Sequence, residues 1–130
     1  MIKFSYTILY VSDVEKSISF YERAFGFKRK FIAPGNSYGE LGTGATTLSF
    51  ASIKQAESNL KNGFTPCSRN DKPCAMEIAF STDEVRKVYD KAIREGAMAE
   101  ADPAEKPHGQ TVAYVRDPDG FLIEICTPMN

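Results

Sequence analysis

The chain is 130 residues long, the size of one ordinary domain, and its 42 % apolar share is enough for a real core. Sixteen basic residues balance seventeen acidic ones, which argues against nucleic acid, whose binding proteins carry a basic face, and against a polybasic membrane contact. No apolar run approaches the roughly 20 residues of a bilayer span, and the N-terminal MIKFSYTILYVSDVEKS has no apolar signal core ending in a small-residue cleavage site, so the expected location is the cytoplasm.

The first copy of an internal repeat begins YTILYVSDVEKSISFYERAFGF. It reads as a strand followed by a helix whose apolar stripe is Val14, Ile18, Tyr21 and Phe25. Ser12 and Glu15 fit a capping box, Asp13 is an alternative cap, and Gly26 ends the helix. Strand-like runs follow at 28–33, 37–41 and 46–52, separated by Pro34-Gly35-Asn36 and Gly42-Thr43-Gly44 turns. Residues 53–73 are polar and rich in turn formers. They read as a linker, with a mobile flap over a pocket as the functional alternative.

The second copy begins EIAFSTDEVRKVYDKAIREGA, and Asp83 stands 13 residues before Gly96 as Asp13 does before Gly26. Val85, Val88, Tyr89, Ala92 and Ile93 share one helical face, with Gly96 as the stop. Strands are expected at 97–101, 110–116 and 121–127, the last two joined by an Asp117-Pro118-Asp119-Gly120 hairpin turn. The pattern predicts a single α+β domain built from two βαβββ modules, about 1–52 and 74–130, forming curved mixed sheets around a concave pocket. Cys67, Cys74 and Cys126 form an odd set with no CxxC pair. Three free thiols are expected in a reducing compartment, and a Cys67–Cys74 bridge within one polar loop is the lesser alternative.

Strand alternation sends Leu9, Val11, Leu48, Phe50, Ile78, Phe80, Phe121, Ile123 and Ile125 toward the helices. The opposite face then carries Tyr6, Ile8, Tyr10, Thr47, Ser49, Ala51, Glu77, Ala79, Ser81, Leu122, Glu124 and Cys126. Glu77 and Glu124 stand out, because each carboxylate is flanked by apolar strand formers. A solvated sheet face tolerates such residues. Two of them on matching strands instead suggest a site that binds a cation, holds a cationic ligand, or keeps a shared proton for acid–base work.

Paired βαβββ units with strand–D–helix–FY…FGF at the front and YVRDPDGFLIEI at the end resemble the vicinal-oxygen-chelate superfamily. That group includes glyoxalase I, bleomycin-resistance proteins, fosfomycin-resistance enzymes and extradiol dioxygenases. The resemblance implies, in metal-using members, one ligand on the first and one on the last strand of each module. Here Tyr6 stands where His or Gln is usual, Ser49 where Glu is common, and Glu77 in place of His. Only Glu124 keeps the usual ligand type. The single histidine, His108, lies in the loop KPHGQ and cannot supply the two imidazoles of an iron dioxygenase site. It is an exposed loop residue or a pocket-mouth contact.

The expectation is a metal-independent small-molecule-binding or sequestering protein, similar to the bleomycin-resistance branch, with no cofactor. Its ligand-binding candidates are Tyr6, Tyr10, Ser49, Glu77, His108, Tyr114 and Glu124, with Tyr38 a further packing surface. The alternative is a lactoylglutathione-lyase-like lyase or isomerase with Glu124 as base or ligand. Any divalent metal would then rest on Glu77 and Glu124. Partners are a small molecule and a second copy in a homodimer, whose contact would cover open sheet edges.

Overall fold

The computed structural model describes residues 1–129. The chain divides into two compact units, Met1–Pro66 and a second that begins at Cys67. The first runs β1 (Tyr6–Val11), α1 (Val14–Phe25), β2 (Lys28–Ile32), a 3-10 turn (Pro34–Asn36), β3 (Tyr38–Gly42), β4 (Thr47–Ser52) and α2 (Ile53–Asn59). The second runs β5 (Ile78–Ser81), α3 (Val85–Arg94), β6 (Met98–Glu105), β7 (Thr111–Arg116) and β8 (Leu122–Cys126). The α+β class and the doubled βαβββ order are therefore as the repeat implies.

Each unit makes its own four-stranded mixed sheet, ordered β1-β4-β3-β2 and β5-β8-β7-β6. In both, the first strand pairs in parallel with the last, and the remaining pairs are antiparallel. The helix-facing residues form the cores. In the first unit Leu9, Val11, Leu41, Leu48 and Phe50 are buried together with Val14, Ile18 and Tyr21 of α1. The Tyr21 and Phe50 rings lie 5.3 Å apart. In the second, Val115, Ile123 and Ile125 are buried with Val85, Tyr89 and Ala92 of α3. Gly39 lets α1 approach β3, because a Cβ there would meet Ile18 Cδ1 at 2.5 Å.

Three local expectations change. Asp13, not Ser12, caps α1, accepting from the Lys16 N–H at 3.2 Å. Asn36 holds it in place, donating to Asp13 Oδ1 and accepting from the Glu15 N–H. Residues 53–59, read as part of a linker, form α2, capped by Ser52 on the Gln55 N–H. Ser52 and Gln55 fit the S-x-x-Q start signal, but the helix is short and draws on tertiary contact, burying Ala56. The second strand of the second unit, β6, is longer than expected and irregular, reaching Glu105 through two register shifts.

Candidate functional site

The carboxylate pair belongs entirely to the second unit. On β8, alternation puts Leu122, Glu124 and Cys126 on one face. Antiparallel β7 sets Tyr114 directly opposite Glu124. Parallel β5 sets Ala79 opposite it on the other side, and Glu77 lies two residues before Ala79, with the same facing. Tyr114 Oη donates to Glu124 Oε1 at 2.9 Å. Glu77 and Cys126 stand near enough to Glu124 to shift its titration, as it shifts theirs.

This geometry separates the two acids. Partial burial pushes the Glu77 carboxyl up, and the adjacent Glu124 carboxylate adds to the effect. Burial also acts to raise Glu124, but the hydrogen bonds from Cys126, Tyr114 and Glu77, with the field of His108, outweigh it and hold Glu124 below the usual range. The Tyr114 phenol is pushed up to about 12, chiefly by its bond to the Glu124 carboxylate and then by burial. Burial, then Glu124, pushes the Cys126 thiol up to about 11. The pair is thus split, with Glu124 the stronger acid and Glu77 the weaker.

His108 sits in the β6–β7 loop, exposed, with Nε2 2.7 Å from Gln110 Oε1. Gln110 Nε2 in turn donates to the Thr127 carbonyl at 2.7 Å. His108, Gly109, Gln110, Pro128 and Met129 line a recess of ≈ 250 Å³. A larger recess of ≈ 620 Å³ lies at the start of α3 among Asp83, Glu84, Arg86, Lys87, Asp90 and Arg94, and includes neither Glu77 nor Glu124.

In the first unit, Tyr6 and Ile8 are exposed at 52 % and 45 % on edge strand β1. Tyr10 is half-buried, with the Phe64 ring edge-on at 4.9 Å. Ser49 is fully buried, and its Oγ lies 3.0 Å from Tyr38 Oη. Tyr38 Oη donates to Glu40 Oε2 at 2.7 Å, and Glu40 is the register partner of Ser49. Burial raises the Tyr38 phenol above its ordinary value, Ser49 partly opposes this, and Glu40 adds to it. Glu40 was not among the residues singled out by sequence. Its signal was the alternation Tyr38–Glu40 against Gly39–Leu41, which needed the β3–β4 register to become a site. Ile8, Tyr10, Tyr38 and Ala51 of the sheet, with Gln55, Ala56 and Asn59 of α2, line a recess of ≈ 270 Å³.

Among the described residues, no three His, Cys, Asp or Glu side chains gather in a way that could hold a metal ion. The donors on this sheet face of the second unit are two carboxyls, a phenol and a buried thiol, while His108 stands in the β6–β7 loop against Gln110. That set does not fit a zinc, nickel or iron centre, which leans on imidazole or thiolate ligands.

These folded units match a known sequence pattern. The profile of the Glyoxalase/Bleomycin resistance protein/Dioxygenase superfamily covers residues 3–125, and the chain belongs to that family. A lactoylglutathione lyase of Arabidopsis thaliana is 28 % identical over 128 residues, 95 % of this chain but 43 % of the plant protein. The chain thus spans less than half the length of that relative. The metallothiol transferase FosB of Lysinibacillus sphaericus is 31 % identical over 120 residues, covering 90 % of this chain and 76 % of that one. A glyoxalase-related enzyme from Fulvimarina pelagi superposes with a TM-score of 0.83 at 21 % identity, covering 98 % and 89 % of the two chains, and so shares the fold. Members of the superfamily bind small-molecule substrates and often use a divalent metal. Among the described residues, no helix is long and apolar enough to cross a membrane.

Proposed function

We propose that this chain binds or sequesters a small cationic molecule without a catalytic metal, with Glu124 as the charged anchor and Glu77 as its neighbour. The observation that carries this reading is Glu124 held by the Tyr114 phenol at 2.9 Å, with a second carboxyl, Glu77, beside it. A cation arriving at Glu124 relieves the cost of ionising two neighbouring carboxyls. Tyr114 fixes the rotamer of Glu124 in advance, so little ordering remains to be paid on binding. His108 and Gln110 border a recess of the same unit and suit a hydrogen-bonding group on the ligand. Taken by itself, the first unit has a recess lined by Tyr10 and Tyr38 that suits an aromatic or apolar molecule.

The test is calorimetric titration with a panel of cationic aromatic compounds in two buffers of different ionisation enthalpy. Any proton exchanged on binding appears as a difference between the two buffers, and Glu124→Gln should abolish binding. Binding that ignores Glu124→Gln, or no binding across the panel, would sink the reading.

A lyase or isomerase reading is favoured by the lyase and transferase relatives at about 30 % identity. In it Glu124, held below the usual carboxyl range, is the base that takes a proton from a carbon next to a carbonyl, and Glu77, held above that range, returns one. Elemental analysis of protein purified without chelators separates the readings. About one Zn, Ni, Fe or Mn per chain, or turnover of the methylglyoxal–glutathione hemithioacetal with added Ni or Zn, would promote the enzyme. We also propose a cytoplasmic homodimer. Exposed Phe4, Tyr6, Ile8 and Phe31 in the first unit and Met76 in the second support a self-contact, and sedimentation showing only monomer at micromolar concentration would remove it.

A further inference from the structure

The loop that opens the second unit carries a feature that ligand binding does not use. Cys67 and Cys74 close an eight-residue stretch, and their sulfurs lie 3.0 Å apart. Non-bonded heavy atoms ordinarily settle at roughly 3.5–4.0 Å, so the two thiols are pressed together. Both are free thiols, Cys74 exposed and Cys67 half-buried.

The contact is held by construction. Arg116 is a buried cation, 5 % exposed, on the site-facing side of β7. Its guanidinium donates to the Ser68 carbonyl at 2.8 Å, to the Asp71 carbonyl at 2.6 Å and to the Gly120 carbonyl at 3.0 Å. Those three bonds clamp the 68–71 turn onto the β7–β8 hairpin. The turn sits so close to Gly120 that a Cβ there would lie 2.6 Å from the Ser68 carbonyl carbon. Gly120 holds φ +97°, a left-handed conformation that glycine adopts without strain. With the turn pinned in its middle, the residues flanking it have little choice but to meet.

We propose that Cys67 and Cys74 are an oxidation site, where a hydroperoxide converts the thiol pair into a reversible disulfide within the loop. The exposed Cys74 sulfur attacks the distal oxygen of the hydroperoxide. The O–O bond breaks, an alcohol (or water, from hydrogen peroxide) leaves, and Cys74 becomes a sulfenic acid. Cys67 then attacks the Cys74 sulfur. The S–S bond forms, the S–O bond breaks, and water leaves with the Cys67 proton. Two thiols and one hydroperoxide thus give one disulfide, one alcohol and one water, the thiols losing two electrons and the O–O bond gaining them. Burial, with the neighbouring Cys74, pushes Cys67 up to about 11, which suits the resolving rather than the attacking role. A small-molecule dithiol reverses the step. The ring so formed ends three residues before Glu77, whose segment is tied back by the Met76 N–H to the Cys74 carbonyl at 2.7 Å.

The test uses the reduced full chain and about one equivalent of hydrogen peroxide. The expected result is loss of two of the three thiols, a mass lower by two hydrogens, no covalent dimer, and a peptide pair joined through Cys67 and Cys74 after cleavage at Arg69. Dithiothreitol should restore both thiols. Cys126→Ser should behave as the parent does, while Cys67→Ser should leave Cys74 as a sulfenic acid that dimedone traps. Three intact thiols at that dose would overturn the proposal. So would oxygen adducts in place of the bridge, a bridge to Cys126, or a bridge between chains.

Discussion

Tyr114 and Glu124 are direct register partners across β7 and β8, and the phenol donates to the carboxylate at 2.9 Å. The bond sets the charge state of both groups. It helps keep Glu124 ionised, and it makes the phenol hard to deprotonate because two negative charges would then face each other.

An absorbance titration of the tyrosines checks this bond. In the parent protein one phenol should ionise near about 12. In Glu124→Gln that phenol should return toward the ordinary value of about 10. In Tyr114→Phe, a carboxyl-resolved NMR titration should find Glu124 ionising at higher pH, since one of the hydrogen bonds that lower it is gone. Unchanged curves in both variants would mean that the bond is not made in solution.

Glu77 runs opposite to the usual acid. Its folded-state pKa lies above its ordinary value, so its favourable contribution belongs to the protonated form and is lost as pH rises through that raised pKa. At neutral pH the group costs stability. Glu77→Gln should therefore match or exceed the parent in urea unfolding at pH 7, by about 0.5 kcal/mol, small because the residue is partly exposed to solvent. The difference should vanish below about pH 4. A variant less stable at pH 7 than at pH 4, relative to the parent, would contradict the sign.

The Arg29 cluster behaves in the ordinary direction. Arg29 of β2 bonds Glu15 and Glu22 of α1, each at 2.7 Å, and these bonds are the largest cause holding both carboxyls below their usual value. Depressed acids contribute stability above the unfolded pKa and lose it as pH falls through the folded one. All three side chains are partly exposed, so solvent screens the gain. Arg29→Met should cost about 1 kcal/mol or less at pH 7 and low salt. Unfolding curves should converge with the parent below about pH 4.

Gly39→Ala should destabilise the first unit by about 1–3 kcal/mol, because the new methyl overlaps Ile18 Cδ1 in a filled core. The double variant with Ile18→Val removes that methyl and should recover part of the loss. Thermal melts of the single and double variants check the pair.

What could be read from the chain alone follows from periodicity. The period of two put Glu77 and Glu124 on one face because both sit in short runs where apolar neighbours fix the alternation, and Tyr114 was visible on its strand for the same reason. The bonds between these residues were not legible, because they need the register of β7 against β8. Glu40 escaped for that reason too. Asp13 prevailed over Ser12 as the cap because Asn36, 23 residues away, holds its carboxylate, and no local pattern carries that contact. The meeting of Cys67 and Cys74 is a product of the Arg116 clamp, which spacing alone does not reveal.

The parallel pairing of first strand with last has a bearing on how the chain acquires its structure. Within each unit the β-meander joins neighbours close in sequence, so those contacts close small loops and can form early. Tyr6 must find Thr47 and Ile78 must find Ile123, each across roughly forty residues of intervening chain, with the larger closure entropy that implies. The opening strand of each unit is thus expected to dock last, onto a meander already assembled. Slow refolding phases should accordingly map to β1 and β5 rather than to the hairpins.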